Sequence, residues 1–250
     1  MFEGHLKIND KKIPRTLLGT SPFTAAPHFG HRAWLYQLDL YRQPENIAKV
    51  LRKCYDLGLR GIQLIPEPPV VDAYRQVQEE GCDFTIVGTV RQGEESADIK
   101  LLFELDADVM LLSGPVTDTR DWDVIYKHLE TIRDGGSTPG LATDQPFRTT
   151  QRLLESPVLD FFDIYMAPLN KLGYLMDTDV FMDKERLEYS DLIKKLDKKV
   201  IINRTLAAGI LTPGDAFNFL KTVDYADMIA VGVAYEKEAE ETFRLLSENK

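Results

Sequence analysis

Three observations on the 250-residue chain predict an α/β fold, a single-domain (β/α)8 or TIM barrel spanning residues 1–250. Eight short apolar runs recur along it, rich in β-branched or aromatic residues and fenced by Gly, Pro or Asp, as strands buried on both faces read. Amphipathic stretches of helical period alternate with these runs, which implies a parallel sheet with helices packed outside it. No G-x-G-x-x-G turn follows any run. An open sheet that binds a dinucleotide is expected to carry one, so closure into a barrel is the more economical arrangement.

The elements follow in order. TLLG near residue 17 is the first strand. PENIAKVLRKCYDLG sets Ile47, Val50, Leu51, Tyr55 and Leu57 close to one helical face, with Pro44 suited to the first turn and Gly58 to the C-cap. GIQLI near 62 is the second strand, and VVDAYRQVQEEG, closed by Gly81, the second helix. FTIVG near 85 leads to ADIKLLFELDA, and DVMLL near 109 to WDVIYKHLETIRDGG, closed by Gly135. PGLA near 140 precedes TTQRLLESP, and FFDIYM near 162 precedes DKERLEYSDLIKKLDK. VIIN near 200 is followed by PGDAFNFLKTV, started by Pro213, and MIAVG near 229 by EKEAEETFRLLSE. Two segments break this rhythm: residues 21–42 after the first strand and 169–183 after the sixth. Both are long and both leave a strand's downstream end, so they are expected to emerge on one rim and to cover a site.

Composition narrows the function classes. Thirty Lys+Arg against 40 Asp+Glu give a net charge of −10, without the basic footprint of a nucleic-acid partner. KLDKKV near 197 reads as a solvated turn. No apolar run is long enough to cross a membrane, and MFEGHLKINDKKIPR lacks the apolar core of a signal peptide, so a cytoplasmic location is expected. Cys54 and Cys82 show no metal or disulfide spacing and are expected to be reduced structural thiols.

In such a barrel the chemistry gathers at the downstream ends of the strands. Reading those ends gives Thr20 and Ser21, Gln63 and Glu67, Thr89 and Arg91, Ser113 and Asp118, Thr143 and Asp144, Asn170, Asn203 and Arg204, and Tyr235 and Glu236. Adjacent strand residues point to opposite sides, so only one of Asn203 and Arg204 faces the mouth directly. Arg204 is suited either to grip a carboxylate or phosphate or to pair with Asp144 or Glu67. Asp144, before Pro146, is a candidate general base or metal ligand, or an Asx-turn residue. Glu67, between prolines, is a candidate acid/base or a solvated carboxylate at a helix start. Asp118 and Asp121 read as turn and N-cap residues. Ser21, His28, His31, Asn170 and Asn203 are candidate substrate contacts. The two histidines, in PHFGH, read either as lid residues or as a metal pair, and no residue is assigned as a metal ligand. The aromatics Phe23, Phe29, Trp34, Tyr36, Tyr41, Tyr174 and Phe181 either wall a pocket, pack the loops down or bury a homodimer contact. Gly209, Gly232 and Tyr235, after the last two strands, are candidate phosphate or cofactor contacts. The acidic start of the final helix, at Glu236, Glu238, Glu240 and Glu241, opposes a phosphate there.

KKVIINRTLAAGILTPGDAFNFL followed by ADMIAVGVAYEKEAEET resembles the closing strands of the aldo-keto reductases, with their P-L-A-x-G-like turn, Pro-started helix and V-x-G strand. RTLLGTSPF is similar to their first strand. The resemblance covers about a third of the chain and implies their barrel; it assigns no cofactor and leaves a nicotinamide nucleotide at the seventh and eighth strands as an open candidate. It does not extend to the tetrad of that family. Its second-strand Asp with a Tyr beyond is met by GIQLIPEPP, its third-strand Lys by FTIVGTVRQ, and its fourth-strand His by Ser113 in VMLLSGP. Three functions stay open: an enzyme acting on a small anionic metabolite, a metal-assisted lyase or hydrolase, and a non-catalytic nucleotide-binding barrel.

Overall fold

The computed structural model describes residues 2–248. Eight parallel strands close on themselves: β3 (Thr16–Gly19), β4 (Gly61–Leu64), β5 (Thr85–Val90), β6 (Val109–Leu112), β7 (Thr138–Ala142), β8 (Ile164–Pro168), β9 (Lys199–Asn203) and β10 (Met228–Gly232). These are the eight runs read from the sequence. Closure comes from β10 pairing with β3, Ile229 opposite Thr16 through Gly232 opposite Gly19. Alternate residues divide the strands between two cores. Leu17, Val87, Val109, Leu111, Ile164 and Ile201 belong to the barrel interior. Ile62, Ile86, Met110, Tyr165, Val200 and Ile202 pack outward under the helices. Both sets are buried, which is why the strands read as continuous apolar runs.

The outer layer comprises α2 (Pro44–Asp56), α3 (Pro68–Glu79), α4 (Glu95–Glu104), α6 (Trp122–Asp134), α7 (Pro146–Leu153), α8 (Asp183–Leu196), α9 (Pro213–Leu220) and α10 (Glu236–Glu248). Pro44 and Pro213 occupy first turns, as their fixed φ favours. Gly135 is the C-cap of α6, as expected, and the left-handed turn falls on the next residue, Gly136, at φ +89°. Gly135 is required for another reason, since a Cβ there would lie 2.0 Å from the Phe103 ring. Cys54 and Cys82 are free thiols. Among the described residues no helix is long and apolar enough to cross a membrane.

Two features lay outside the sequence reading. The first is a hairpin, β1 (His5–Ile8) against β2 (Lys11–Pro14), that precedes the barrel. Its Leu6, Ile8 and Ile13 join the interior cluster. Lys11 Nζ donates to Asp108 O at 3.0 Å and Arg15 Nη1 to Asp227 O at 3.1 Å, at the upstream ends of β6 and β10. The hairpin therefore plugs the upstream end and leaves the downstream mouth as the open one. The second is order in residues 21–42, which fold into 3-10 turns at Ser21–Thr24 and Pro27–Phe29 and a helix, α1 (His31–Asp39), with a further short helix, α5 (Gly114–Thr117), after β6.

Ile13 is fully buried in the plug. Ile13→Ala should cost about 2–5 kcal/mol of stability, the range for a large-to-small change in a packed core. Urea unfolding of the variant beside the wild type measures it, and a loss below about 0.5 kcal/mol would show that the hairpin is not a structural plug.

Candidate functional site

Strand alternation sets the mouth. Because Ile201 faces the interior, Asn203 two residues on faces it too, and Gln63, Thr89 and Ser113 hold the corresponding place on β4, β5 and beyond β6. The result is a layer of neutral polar side chains. Gln63 Nε2 donates to Thr89 Oγ1 at 2.6 Å, and Thr20 Oγ1 beside them accepts the Ile65 amide at 2.9 Å. The Ser113 hydroxyl, Asn203 Oδ1 and Thr205 Oγ1 are buried with no hydrogen-bond partner among the described residues. A buried polar group without a partner is costly, so such groups concentrate where a ligand or water completes them.

Immediately after Asn203 the chain leaves the strand. Arg204 has φ +56°, followed by Ala207 at +47°, Ala208 at +55° and Gly209 at +84°. Only the last is a glycine, so three residues hold a backbone shape that side chains disfavour. The turn aims Arg204 at Asp144, Nη2 to Oδ1 2.5 Å, while Nη1 donates to Leu175 O at 3.2 Å. Asp144 is held in turn by Asp118, whose carboxylate accepts the Asp144 amide at 2.8 Å, Thr143 Oγ1 at 2.5 Å and Thr149 Oγ1 at 2.7 Å. Burial pushes the Asp118 carboxyl above its usual range, against those hydrogen bonds. Gly114 makes the space, since a Cβ there would fall 2.6 Å from Asp144 Cγ. Asp118 stands in a turn, as expected, and from there its side chain also positions Asp144, while Asp121 caps α6 through the Val124 amide.

A cavity of about 400 Å³ opens beside this pair, at the ends of β3, β9 and β10. Ser21, His28, Asn203, Arg204, Gly209 and Gly232 all line it, so the strand-end argument gathers these six around one space. The remaining candidates stand elsewhere. Glu67 is paired with Arg91 at 2.9 Å, and Arg91 also binds Asp98 at 2.7 Å. Asn170 is fully buried and shapes the 169–183 loop, its Oδ1 accepting the Leu172 and Tyr174 amides. His31 is exposed at the start of α1. Tyr235 lies beyond the cavity, its hydroxyl 2.8 Å from Asp39 Oδ2, where it ties α1 to the end of β10. Sequence reasoning missed Arg32, which lines the cavity from α1 beside Tyr36; of the aromatics read as pocket walls or loop packing, Phe29 and Tyr36 line the cavity. A helical pattern over 31–39 is the signal that would have found Arg32. Trp34, by contrast, is 64% exposed. Among the described residues no group of three or more His, Cys, Asp or Glu side chains is placed to hold a metal ion.

The two long segments meet over the cavity, where the Tyr174 hydroxyl donates to His28 O at 3.2 Å. Asp177 of the second segment accepts the Phe147 and Arg148 amides at 2.8 and 2.9 Å and so caps α7 from outside the helix. His28 is half-buried here. Burial first, and the Arg204 charge second, lower its pKa from 6.5 to about 4, with Asp144 acting the other way. His28 is therefore neutral at pH 7.

Proton NMR of the imidazole should give a midpoint near 4, and Arg204→Met, which removes the second cause, should move it toward 6.5. The folded state binds this proton less readily than the unfolded chain. Its contribution to stability is present above pH 6.5 and is lost as pH falls from 6.5 toward 4. Wild type should thus lose more Tm over that window than His28→Gln, and equal losses would show that His28 titrates normally.

No protein-family model matches the chain, and no curated protein matches it in sequence. Solved structures do. A Pseudomonas aeruginosa protein proposed to be an aldo-keto reductase superposes with TM-score 0.67 at 16% identity, over 98% of this chain and 95% of that one. An aldo-keto reductase from a Medee basin deep-sea metagenome library gives 0.62 at 14%, over 96% and 88%. A variant of Gox0644, solved in complex with NADPH, gives 0.65 at 11%, over 99% and 91%. The chain therefore has the (β/α)8 barrel fold of the aldo-keto reductases over nearly its full length.

Proposed function

We propose that the protein binds a nicotinamide dinucleotide along the cavity at the ends of β3, β9 and β10, and a small anionic metabolite beside Arg204. The strained turn from Arg204 to Gly209 carries this reading. The Ala207 and Gly209 amides close the turn on Arg204 O and Leu206 O, both at 2.9 Å, so the turn offers the cavity a fixed backbone shape rather than a row of free amides. Ala208, Gly209 and Gly232 line the cavity with almost no side chain, so a diphosphate can approach the main chain closely. Non-glycine strain of this kind, about 1–3 kcal/mol per residue, persists where the surroundings hold a backbone shape that function uses. NADPH in the complex of Gox0644, a protein of the same fold, supports the choice of ligand.

Arg204 keeps guanidinium N–H groups beyond those engaged by Asp144 and Leu175, and these suit a carboxylate or phosphate of the second ligand. Asp144 acts through Arg204 by fixing its direction. His28, neutral with a free lone pair at pH 7, is the group on this side able to accept a proton. The mouth itself carries Gln63, Thr89 and Ser113, none of which donates a proton as a tyrosine–lysine pair does. That layer favours a second reading, in which the barrel binds the nucleotide without turning it over. An NADH-consumption screen over aldehydes, ketones and 2-oxo acids separates the two.

The binding reading is tested by titrating the full chain with NADH and NADPH and following nicotinamide fluorescence. Saturable binding is expected for at least one of them. Gly209→Val places a side chain where the Arg32 guanidinium lies, 2.6 Å from an ideal Cβ, and imposes a branched residue on φ +84°. It should weaken binding about tenfold or more, or about 1.4 kcal/mol, with the circular dichroism spectrum retained. Absence of saturation with both nucleotides would overturn the proposal.

A further inference from the structure

We infer that the cavity selects the dinucleotide with a free adenosine 2′-hydroxyl over the 2′-phosphorylated form; this rests on the dinucleotide reading above. The cavity runs from the strand tips outward. Gly19, Gln63 and Asn203 line its inner end, and residues of α9 and α10, among them Pro213, Glu238, Glu241 and Thr242, line its outer end. The nicotinamide must sit at the mouth, where a second reactant can meet it, so the adenosine half takes the outer end.

That end is acidic. Glu238 and Glu241 are three residues apart on α10 and therefore share a face. Glu236 and Glu238 stand in the first turn, where the helix dipole by itself favours acids, but Glu241 is beyond it and the dipole does not account for its place in the wall. The cation at this end is Arg32, and its Nη1 already lies 3.9 Å from Glu238 Oε1. Glu238 Oε2 accepts the Ala234 amide at 2.8 Å, which fixes the carboxylate in the loop after β10. Lys53, the nearby lysine on α2, is paired with Glu240 outside the cavity wall. A 2′-phosphate, bringing close to two further negative charges, would meet two carboxylates and one arginine that is already partnered. A 2′-hydroxyl would instead donate to a carboxylate, the arrangement by which an acidic residue recognises unphosphorylated ribose. Thr242, 3% exposed, supplies a hydroxyl at the same end.

The test compares dissociation constants for NADH and NADPH on the full chain by nicotinamide fluorescence, in low and high salt. NADH should bind about tenfold tighter or better, and the ratio should shrink in high salt because half-exposed charges are screened. In Glu238→Gln/Glu241→Gln, where glutamine keeps the shape and an acceptor for the Ala234 amide, the NADH:NADPH ratio should fall to within about threefold through a gain in NADPH affinity. Glu241→Gln alone, remote from that amide, should move the ratio in the same direction and guards against a folding defect in the double variant. NADPH binding as tightly as NADH to the wild type, or an unchanged ratio in both variants, would overturn the inference while leaving the dinucleotide reading in place. Failure of both nucleotides to bind would overturn the dinucleotide reading, and the inference with it.

Discussion

Closure between the last strand and the first is the constraint from which the remaining geometry follows. β10 must lie against β3 from Ile229–Thr16 to Gly232–Gly19, and at the downstream end of that seam two glycines face each other. A Cβ on Gly19 would lie 3.2 Å from the Gly232 amide nitrogen, and one on Gly232 would lie 2.9 Å from Pro22 Cδ. A side chain on Gly19 would press on the Gly232 backbone and one on Gly232 on the Pro22 ring, and both would fill the space beside them. The same two glycines thus permit closure and leave a wall of bare main chain in the cavity.

The ends of the cylinder then take different roles. Upstream, the β1–β2 hairpin adds Leu6, Ile8 and Ile13 to the interior and binds the chain where β6 and β10 begin. Downstream, the interior side chains turn polar, and loops instead of strands form the cover. That cover is organised by one line of contacts: Asp118 holds the Asp144 backbone, Asp144 holds Arg204, and Arg204 reaches the Leu175 carbonyl of the 169–183 loop. Tyr174 of that loop meets His28 of the other long segment. A half-buried carboxylate at the root of this line, satisfied by two hydroxyls and an amide, is costly to disturb, which keeps Arg204 in one direction.

Charge differs along the cavity. Near the mouth, Arg204 is offset by Asp144 and His28 is neutral, so the local net charge is small and the directed N–H groups of Arg204 are the main polar feature. Toward α10, Glu238 and Glu241 turn the wall acidic. The acidic residues noted as opposing a phosphate divide in the structure. Glu240 is drawn away by Lys53, whereas Glu238 and Glu241 remain in the wall.

The barrel is legible in the order of residues alone. Apolar runs such as VIIN and MIAVG, buried on both faces, have no stable place except a sheet covered on both sides, and the alternating amphipathic stretches supply that cover. Which residues stand at strand ends is legible too, because that is a matter of order along the chain. What each strand-end residue touches follows from how the closed barrel brings distant segments together. Arg204 could pair with Asp144 or Glu67 until Arg91 was seen to occupy Glu67. Asn170 sits at a strand end as Asn203 does, yet its amide closes a local loop while Asn203 faces the cavity. Arg32 and Glu238, far apart in sequence, become neighbours only when β10 reaches β3. Periodicity records burial along one segment, whereas partnership between side chains depends on distances that closure of the barrel creates.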